Sequence, residues 1–214
     1  MTQPLKRITH SAIETPTHTI IWMHGLGASA DDFLSIIPHL NLNIGTQIIF
    51  PQAPVRPITV NNGMWMPGWY DIKSFSFSEV DNVGIAQSVA QIGEIYQDQI
   101  SQGIAAQNIY FAGFSQGGVM ALTLGTQYLC GGILALSCYL TDPESLPKAT
   151  EHSPSIMQMH GRHDPIVAYA LGEYAHQRLL EQGYDAQWKS YDMGHEICFP
   201  QIIDIAKWLK SQNL

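Results

Sequence analysis

The chain has 214 residues, 45% of them hydrophobic and only 13% charged, with a formal net charge of −8 when its nine histidines are neutral. These values describe a chain long enough to bury a core and exclude a disordered one. They also exclude nucleic-acid binding through a broad basic face, which needs clustered Lys and Arg. No run of roughly 18 apolar residues suggests a transmembrane helix. The opening "MTQPLKRITHSAIETPTHT" has no apolar signal-peptide region. Three cysteines (Cys130, Cys138, Cys198) at irregular spacing read as reduced thiols rather than a disulfide framework. The expectation is a soluble cytoplasmic protein of one domain spanning 1–214.

In chain order, the first strong element is the apolar run "HTIIWMH" (18–24), a strand followed at once by the Gly-rich "GLGAS". A second strand is "TQIIFP" (46–51). The stretch from about 51 to 79, "PQAPVRPITVNNGMWMPGWYDIKSFSFSE", is rich in Pro, Gly, Asn and aromatics and has no period. It reads as a long loop excursion, and loops of that length in compact domains usually serve function. A helical pattern from about Val80 to Gln99 places Val89, Ile92, Tyr96 and Ile100 on one face. The strand "NIYFAGF" (108–114) runs into "SQGGVMALTLGTQYL", again helical. Strands at 131–137 and 155–161 follow, and a helix from "PIVAYALGEYAHQRLLEQG" begins near Pro165 and ends in a glycine cap at Gly183. The last strand, 186–192, precedes a tail helix with Phe199, Ile202, Ala206 and Leu209 on one face. Continuous apolar strands alternating with helices predict an α/β fold: a mostly parallel sheet covered by helices on both faces.

The sequence "GFSQGG" (113–118) puts Ser115 between a strand and a helix, with Gly113 and Gly117 flanking it. That is the setting of a nucleophile elbow, where a strained turn lifts a serine above the carboxyl edge of a sheet and glycines let neighbouring backbone approach. A Gly-rich turn with an incidental serine is the alternative. Serine needs a base, and the fold orders its partners as serine, acid, histidine. His195 in "DMGHEI" follows the last strand. Asp164 in "HGRHDPIV" is the preferred acid, with Asp142 as runner-up and Asp192 as the end of a strand. Asp164 before Pro165 also reads as a helix N-cap, a role compatible with orienting His195. Oxyanion donors are expected from the backbone N–H of Gln116, next to the nucleophile, and of Leu26 in "HGLG". His24, His160 and His163 read first as structural, His24 as a hydrogen-bonding organiser of the Leu26 loop. Cys198 reads as a buried small hydrophobe. No metal-binding spacing is present, so neither metal nor cofactor is expected. Trp65, Met66, Trp69, Phe75 and Phe77 are expected to wall the substrate site, or in part to plug the core.

Taken together, "HGLG" (24–27), "PQAP" (51–54), "MPGWYDI" (66–72), "GFSQGG" (113–118), "HGRHDPIV" (160–167) and "GH" (194–195) resemble the small carboxylesterase, lysophospholipase and acyl-protein thioesterase family of α/β-hydrolases. The pieces occur in the family's order over nearly the whole chain. The resemblance implies Ser115, Asp164 and His195 as a triad and supports Asp164 over Asp142. It also implies Leu26 and Gln116 as oxyanion donors, and no large cap domain. The implied substrates are short- to medium-chain acyl esters, lysophospholipids or S-acylated proteins, with no nucleic acid and no stable membrane insertion. Members often form homodimers. Two positions depart from the pattern: Ala28 where an acidic residue is common, and Cys138 where glycine is usual. The other reading of such a chain is a non-catalytic binding protein on the same fold.

Overall fold

The computed structural model describes residues 4–74, 76–77 and 79–214. Its strands are β1 (Arg7–His10), β2 (His18–Met23), β3 (Thr46–Pro51), β4 (Val55–Ile58), β5 (Met64–Pro67), β6 (Ile109–Phe114), β7 (Gly132–Leu136), β8 (Ser155–Gly161) and β9 (Ala186–Tyr191). The helices are α1 (Ile37–Leu40), α2 (Asn82–Ser101), α3 (Gln116–Gly125), α4 (Tyr169–Glu181) and α5 (Phe199–Ser211).

Seven strands form one sheet in the order β1-β3-β2-β6-β7-β8-β9. All neighbours pair in parallel except β1 and β3. The central strands are buried along almost their whole length, as their continuous apolar runs require. Alternate residues feed two cores. Ile21, Met23, Ile49, Phe111 and Ile133 face α2, α3 and α4 through Ile92, Ile95, Val119 and Leu179. Ile20, Trp22, Ile48, Phe50 and Leu134 face α1 and α5 through Leu40, Ile205, Trp208 and Leu209. The predicted tail helix is therefore the main cover of the second face.

Three features differ from the sequence reading. β1 has no apolar pattern because all four of its residues are exposed; it is an antiparallel edge held by backbone pairing to β3. The excursion is not structureless: β4 and β5 form an antiparallel hairpin whose tip turns through left-handed Asn62 and Gly63. Asp71 and Asp81 tie the hairpin to the helix behind it. Asp71 accepts from Thr59 N and Oγ1 (2.7 and 2.6 Å), while Asp81 accepts from Asp71 N (2.9 Å) and caps α2 at Gly84 N (3.0 Å). Finally, α4 starts at Tyr169 rather than near Pro165, because the N–H groups of Ile166 and Val167 bond to Asp164 instead of entering a helix. Its end is capped as expected: Gly183 has φ +88°, with Gly183 N donating to Leu180 O and Tyr184 N to Leu179 O.

The chain leaves β2 for β3 on one side and returns through α2 to β6 on the other. The carboxyl ends of β2 and β6 therefore flank a switch point, where open α/β sheets bind ligands.

One polar cluster lies inside the sheet–helix layer. Gln99 of α2 accepts from the Gln47 amide (2.6 Å) and the Thr19 hydroxyl (3.1 Å), and all three side chains are buried. Gln99→Leu deprives both donors of their shared acceptor and is expected to lower unfolding free energy by about 1–3 kcal/mol. Urea denaturation with an unchanged m-value would show it; an unshifted midpoint would count against the account.

Candidate active site

Ser115 follows β6 directly and precedes α3, with φ 55° and ψ −120°, a backbone conformation that costs free energy for a residue with a Cβ. The strain is fixed from two sides. Ser115 N donates to Leu136 O of β7 (2.8 Å), and its carbonyl accepts from Val119 N in the first turn of α3 (3.1 Å). A Cβ on Gly113 would collide with the Gly117 carbonyl, and one on Gly117 with the Met23 carbonyl at the end of β2. Both glycines are there for close approach of backbone, as the motif implied. Cys138 packs against Gly118 of α3, where a Cβ would come within 2.8 Å of the cysteine Cβ. Burial pushes the Cys138 thiol far above its ordinary range, so it is an inert packing group.

His195 lies between β9 and α5. Its Nε2 is 2.9 Å from Ser115 Oγ, and its Nδ1 is 2.7 Å from Asp164 Oδ2. With a carboxylate at Nδ1, the proton sits on Nδ1 and Nε2 accepts the serine O–H. Adjacent strands bring the two loops together: Arg162 N donates to Tyr191 O (2.9 Å) and His163 N to Met193 O (3.1 Å). Phe114 stacks against the imidazole, ring centroids 4.7 Å apart. Asp142 caps a short turn at Ser145 N, and Asp192 pairs with exposed His163.

Asp164 divides its labour between oxygens. Oδ1 accepts from Ile166 N (2.9 Å) and Val167 N (2.8 Å), fixing the turn, while Oδ2 faces His195. Oδ2 also lies 3.4 Å from Nε2 of His160, which is buried in β8 and 2.9 Å from Val167 O. Two acceptors around one ring nitrogen require Nε2 to carry a proton. Burial alone would raise the Asp164 carboxyl, but the bonds from His160, His195 and the two N–H groups outweigh it and hold it well below its ordinary value of 3.8. A depressed carboxyl contributes stability that is complete above about pH 4 and is lost as pH falls below that value. The His160 contact is invisible in sequence, since only the curl of residues 161–164 returns the aspartate to its own strand.

Leu26 and Gln116 flank the serine, both in the wall of a cleft of about 230 Å³ that also exposes Ser115 and His195. Gln116 is the first residue of α3, so its N–H has no intrahelical acceptor. The Leu26 loop is held by Gly27 N to Pro67 O (2.8 Å) and by His24, whose Nδ1 lies 2.7 Å from Gly25 O and whose Nε2 accepts from Ala53 N (3.1 Å).

The expected aromatic wall is only partly there. Phe77 lines the cleft, its ring 4.5 Å from that of Tyr139. Trp65 is 69% exposed on β5 and outside the cleft. Met66 sits behind the wall, its sulfur near Gly27 and Asn61 Nδ2. Phe75 lies outside the described residues. Trp69 is fully buried: its Nε1 donates to His24 O (2.8 Å), its backbone N to Gln116 Oε1 (2.7 Å), and its carbonyl accepts from Ser88. A buried indole N–H needs an acceptor, and it finds one in the Leu26 loop rather than in the cleft. The residues that take the wall instead are Tyr70, Ile72, Tyr139, Ile166 and Val167. Tyr139 had a signal, its position just beyond the carboxyl end of β7. The Tyr70 and Tyr139 hydroxyls are 3.1 Å apart, and burial pushes Tyr139 up to about 12, so this part of the wall stays uncharged. Cys198 is half-buried ahead of α5, not a core residue.

Trp69→Ala removes a buried indole and the clamp on His24 O. It is expected to cost roughly 3–5 kcal/mol in unfolding free energy. Thermal denaturation would detect it, and a stable variant altered only in acyl-length preference would return Trp69 to the substrate wall.

Comparison with known proteins bears on the fold and the family. Residues 6–213 match the family model "Phospholipase/Carboxylesterase". An "Acyl-protein thioesterase 1" of Neurospora crassa is 36% identical, over 92% of this chain and 88% of the relative. One of Gibberella zeae is 34% identical, over 92% and 91%. The crystal structure of Arabidopsis thaliana SOBER1 superposes with a TM-score of 0.83 at 28% identity, covering 91% of this chain and 98% of that one. Acyl-protein thioesterase 2 of Zea mays shares the fold, with a TM-score of 0.87 at 23% identity, covering 98% of this chain and 99% of that one. The chain belongs to the phospholipase/carboxylesterase family of α/β-hydrolases, and it is a hydrolase.

Proposed function

We propose that this protein hydrolyses short- to medium-chain acyl esters and thioesters through an acyl-enzyme on Ser115. The observation that carries the reading is the unbroken chain of contacts from Ser115 Oγ to His195 (2.9 Å) and from His195 to Asp164 (2.7 Å), opening into an apolar cleft. In the mechanism, His195 Nε2 takes the Ser115 proton as Oγ attacks the carbonyl carbon. Asp164, held ionised, keeps the imidazole in the Nδ1–H tautomer and stabilises its charged form. The N–H groups of Leu26 and Gln116 receive the oxyanion. The imidazolium protonates the departing alcohol or thiol, and water activated by the same base releases the acid. These steps use protein groups and water alone.

The cleft, at about 230 Å³, is smaller than the roughly 300–1,000 Å³ of drug-sized ligand sites, which suits a short or medium acyl chain. The relatives' name supports S-acylated proteins as substrates, and the family description supports carboxylic esters and phospholipids, of which lysophospholipids are one class. Among the described residues no helix is long and apolar enough to cross a membrane, and the three cysteines are free, which fits a cytoplasmic place of action. The reading takes residues 1–214 as one domain whose excursion serves the site.

The test is hydrolysis of p-nitrophenyl esters of increasing chain length and of a palmitoyl-thioester peptide. Wild type turns over at least one series and is labelled by a fluorophosphonate, while Ser115→Ala loses at least about 10⁴-fold in kcat/KM and takes no label. Absence of both turnover and label in wild type would sink the reading.

His160 enters as a positioning residue for Asp164. Losing a hydrogen bond to a charged group is worth about 1.5–3 kcal/mol, so His160→Phe is expected to lose roughly 10- to 100-fold in kcat with KM for a short ester little changed. His160→Gln, which restores an N–H donor, should recover most of it. Equal activity of the two variants would reduce His160 to packing.

A further inference from the structure

A second cleft, of about 250 Å³, also borders the imidazole. It shares Asp32, Phe114 and His195 with the first cleft, but neither Ser115 nor the oxyanion donors line it. Its floor comes from three separate parts of the chain: Phe33 and Ile36 after β2, Phe114 at the end of β6, and Ile197 and Ile202 at the start of α5. Phe33 and Ile202 are buried, Ile36 and Ile197 half-buried. The exposed carboxylates of Asp32 and Glu196 stand at its rim, and no lysine or arginine is among its described lining residues.

The geometry of acyl transfer assigns this space. When Ser115 Oγ adds to a carbonyl carbon, that carbon carries four groups. One is Oγ, and one is the oxyanion, directed to Leu26 and Gln116. The acyl chain is the third, and the first cleft, which contains Ser115, has the apolar wall to receive it. The fourth is the leaving oxygen or sulfur. As the bond from carbon to this atom breaks, it takes the proton from His195 Nε2, so it must lie against the imidazole. Whatever is attached to that atom then continues past His195, and the apolar surface adjoining the imidazole on that side is the second cleft.

We infer that the second cleft is a leaving-group subsite, selecting an aliphatic alcohol or thiol portion that carries no negative charge. The inference rests on the reading of Ser115 as nucleophile and deepens it. Burying methylene groups of the alcohol on Ile36, Ile197 and Ile202 removes apolar surface from water and so stabilises the transition state for acylation. An anionic alcohol instead meets two carboxylates with no lysine or arginine in the lining to offset them.

The experiment fixes the acyl group and varies the alcohol. With butyrate esters, kcat/KM is expected to rise roughly tenfold from ethyl to hexyl butyrate, and 3-sulfopropyl butyrate is expected to be slower than propyl butyrate. Ile36→Ser and Ile197→Ser should each flatten the rise with alcohol length, while the dependence on acyl length in a series of ethyl esters keeps its slope. Ile36→Leu, which preserves the apolar bulk, should retain the rise and guards against a variant that merely folds poorly. Two results would overturn the proposal: wild-type rates indifferent to the alcohol, or serine variants that change the acyl-length slope and leave the alcohol slope intact. Wild type inactive on every ester would strike the hydrolase mechanism itself, a separately readable outcome.

Discussion

The site depends on one close approach of backbone: the first turn of α3 lies against the end of β2 at Gly117 and against β6 at Gly113. That contact leaves no room for a Cβ on either residue. It forces the left-handed φ of Ser115 and sets the loop after β2 beside the start of α3. Serine hydroxyl, the Leu26 loop and the N-terminus of α3 therefore share one rim of the sheet. The first α3 N–H groups are unspent by the helix and favour negative charge there. The strain at one residue is offset by the apolar burial of α3, nearly all of whose residues are covered.

Much of the remaining structure keeps that rim in place. Gln116 uses its side chain to grip Trp69 N and Tyr70 O at 2.7 Å each, and Trp69 grips the His24 carbonyl. The excursion after β3 is in this way stitched to the helix that follows Ser115 and to the Leu26 loop by hydrogen bonds that are themselves buried. The aromatic residues split by depth. Trp69 serves position, whereas Tyr70, Phe77 and Tyr139 present ring surface to the cleft. Those rings make this side of the cleft apolar, and burial pushes both tyrosine hydroxyls up, further from ionisation.

Asp164 is the second organising group. A carboxylate has lone pairs to spare, and this one is surrounded by four donors drawn from its own turn, from β8 and from the loop before α5. The donors favour its charged form and fix its orientation together, and Oδ2 is the oxygen that faces His195. His195 lines two clefts of similar size, one that also exposes Ser115 and one that reaches Ile197 and Ile202 at the start of α5.

The sequence by itself determined the parts of the fold carried by local pattern. Five buried strands and the partly covered edge strand β9, the helices between them, the glycine cap at Gly183 and the strand–serine–helix junction at 113–118 were legible because apolar periodicity and glycine placement act over a few residues. The order serine, aspartate, histidine was legible for the same reason: each follows a recognisable strand. Strand β1 and the β4–β5 hairpin were not, since backbone pairing at an exposed edge leaves no apolar signature. Only the tertiary structure decided which aromatics line the cleft, that Trp69 turns inward, and that His160 reaches Asp164. Those outcomes depend on side-chain direction and on contacts between distant strands. A one-dimensional pattern records how apolar a segment is, but not which of its neighbours satisfies a buried N–H.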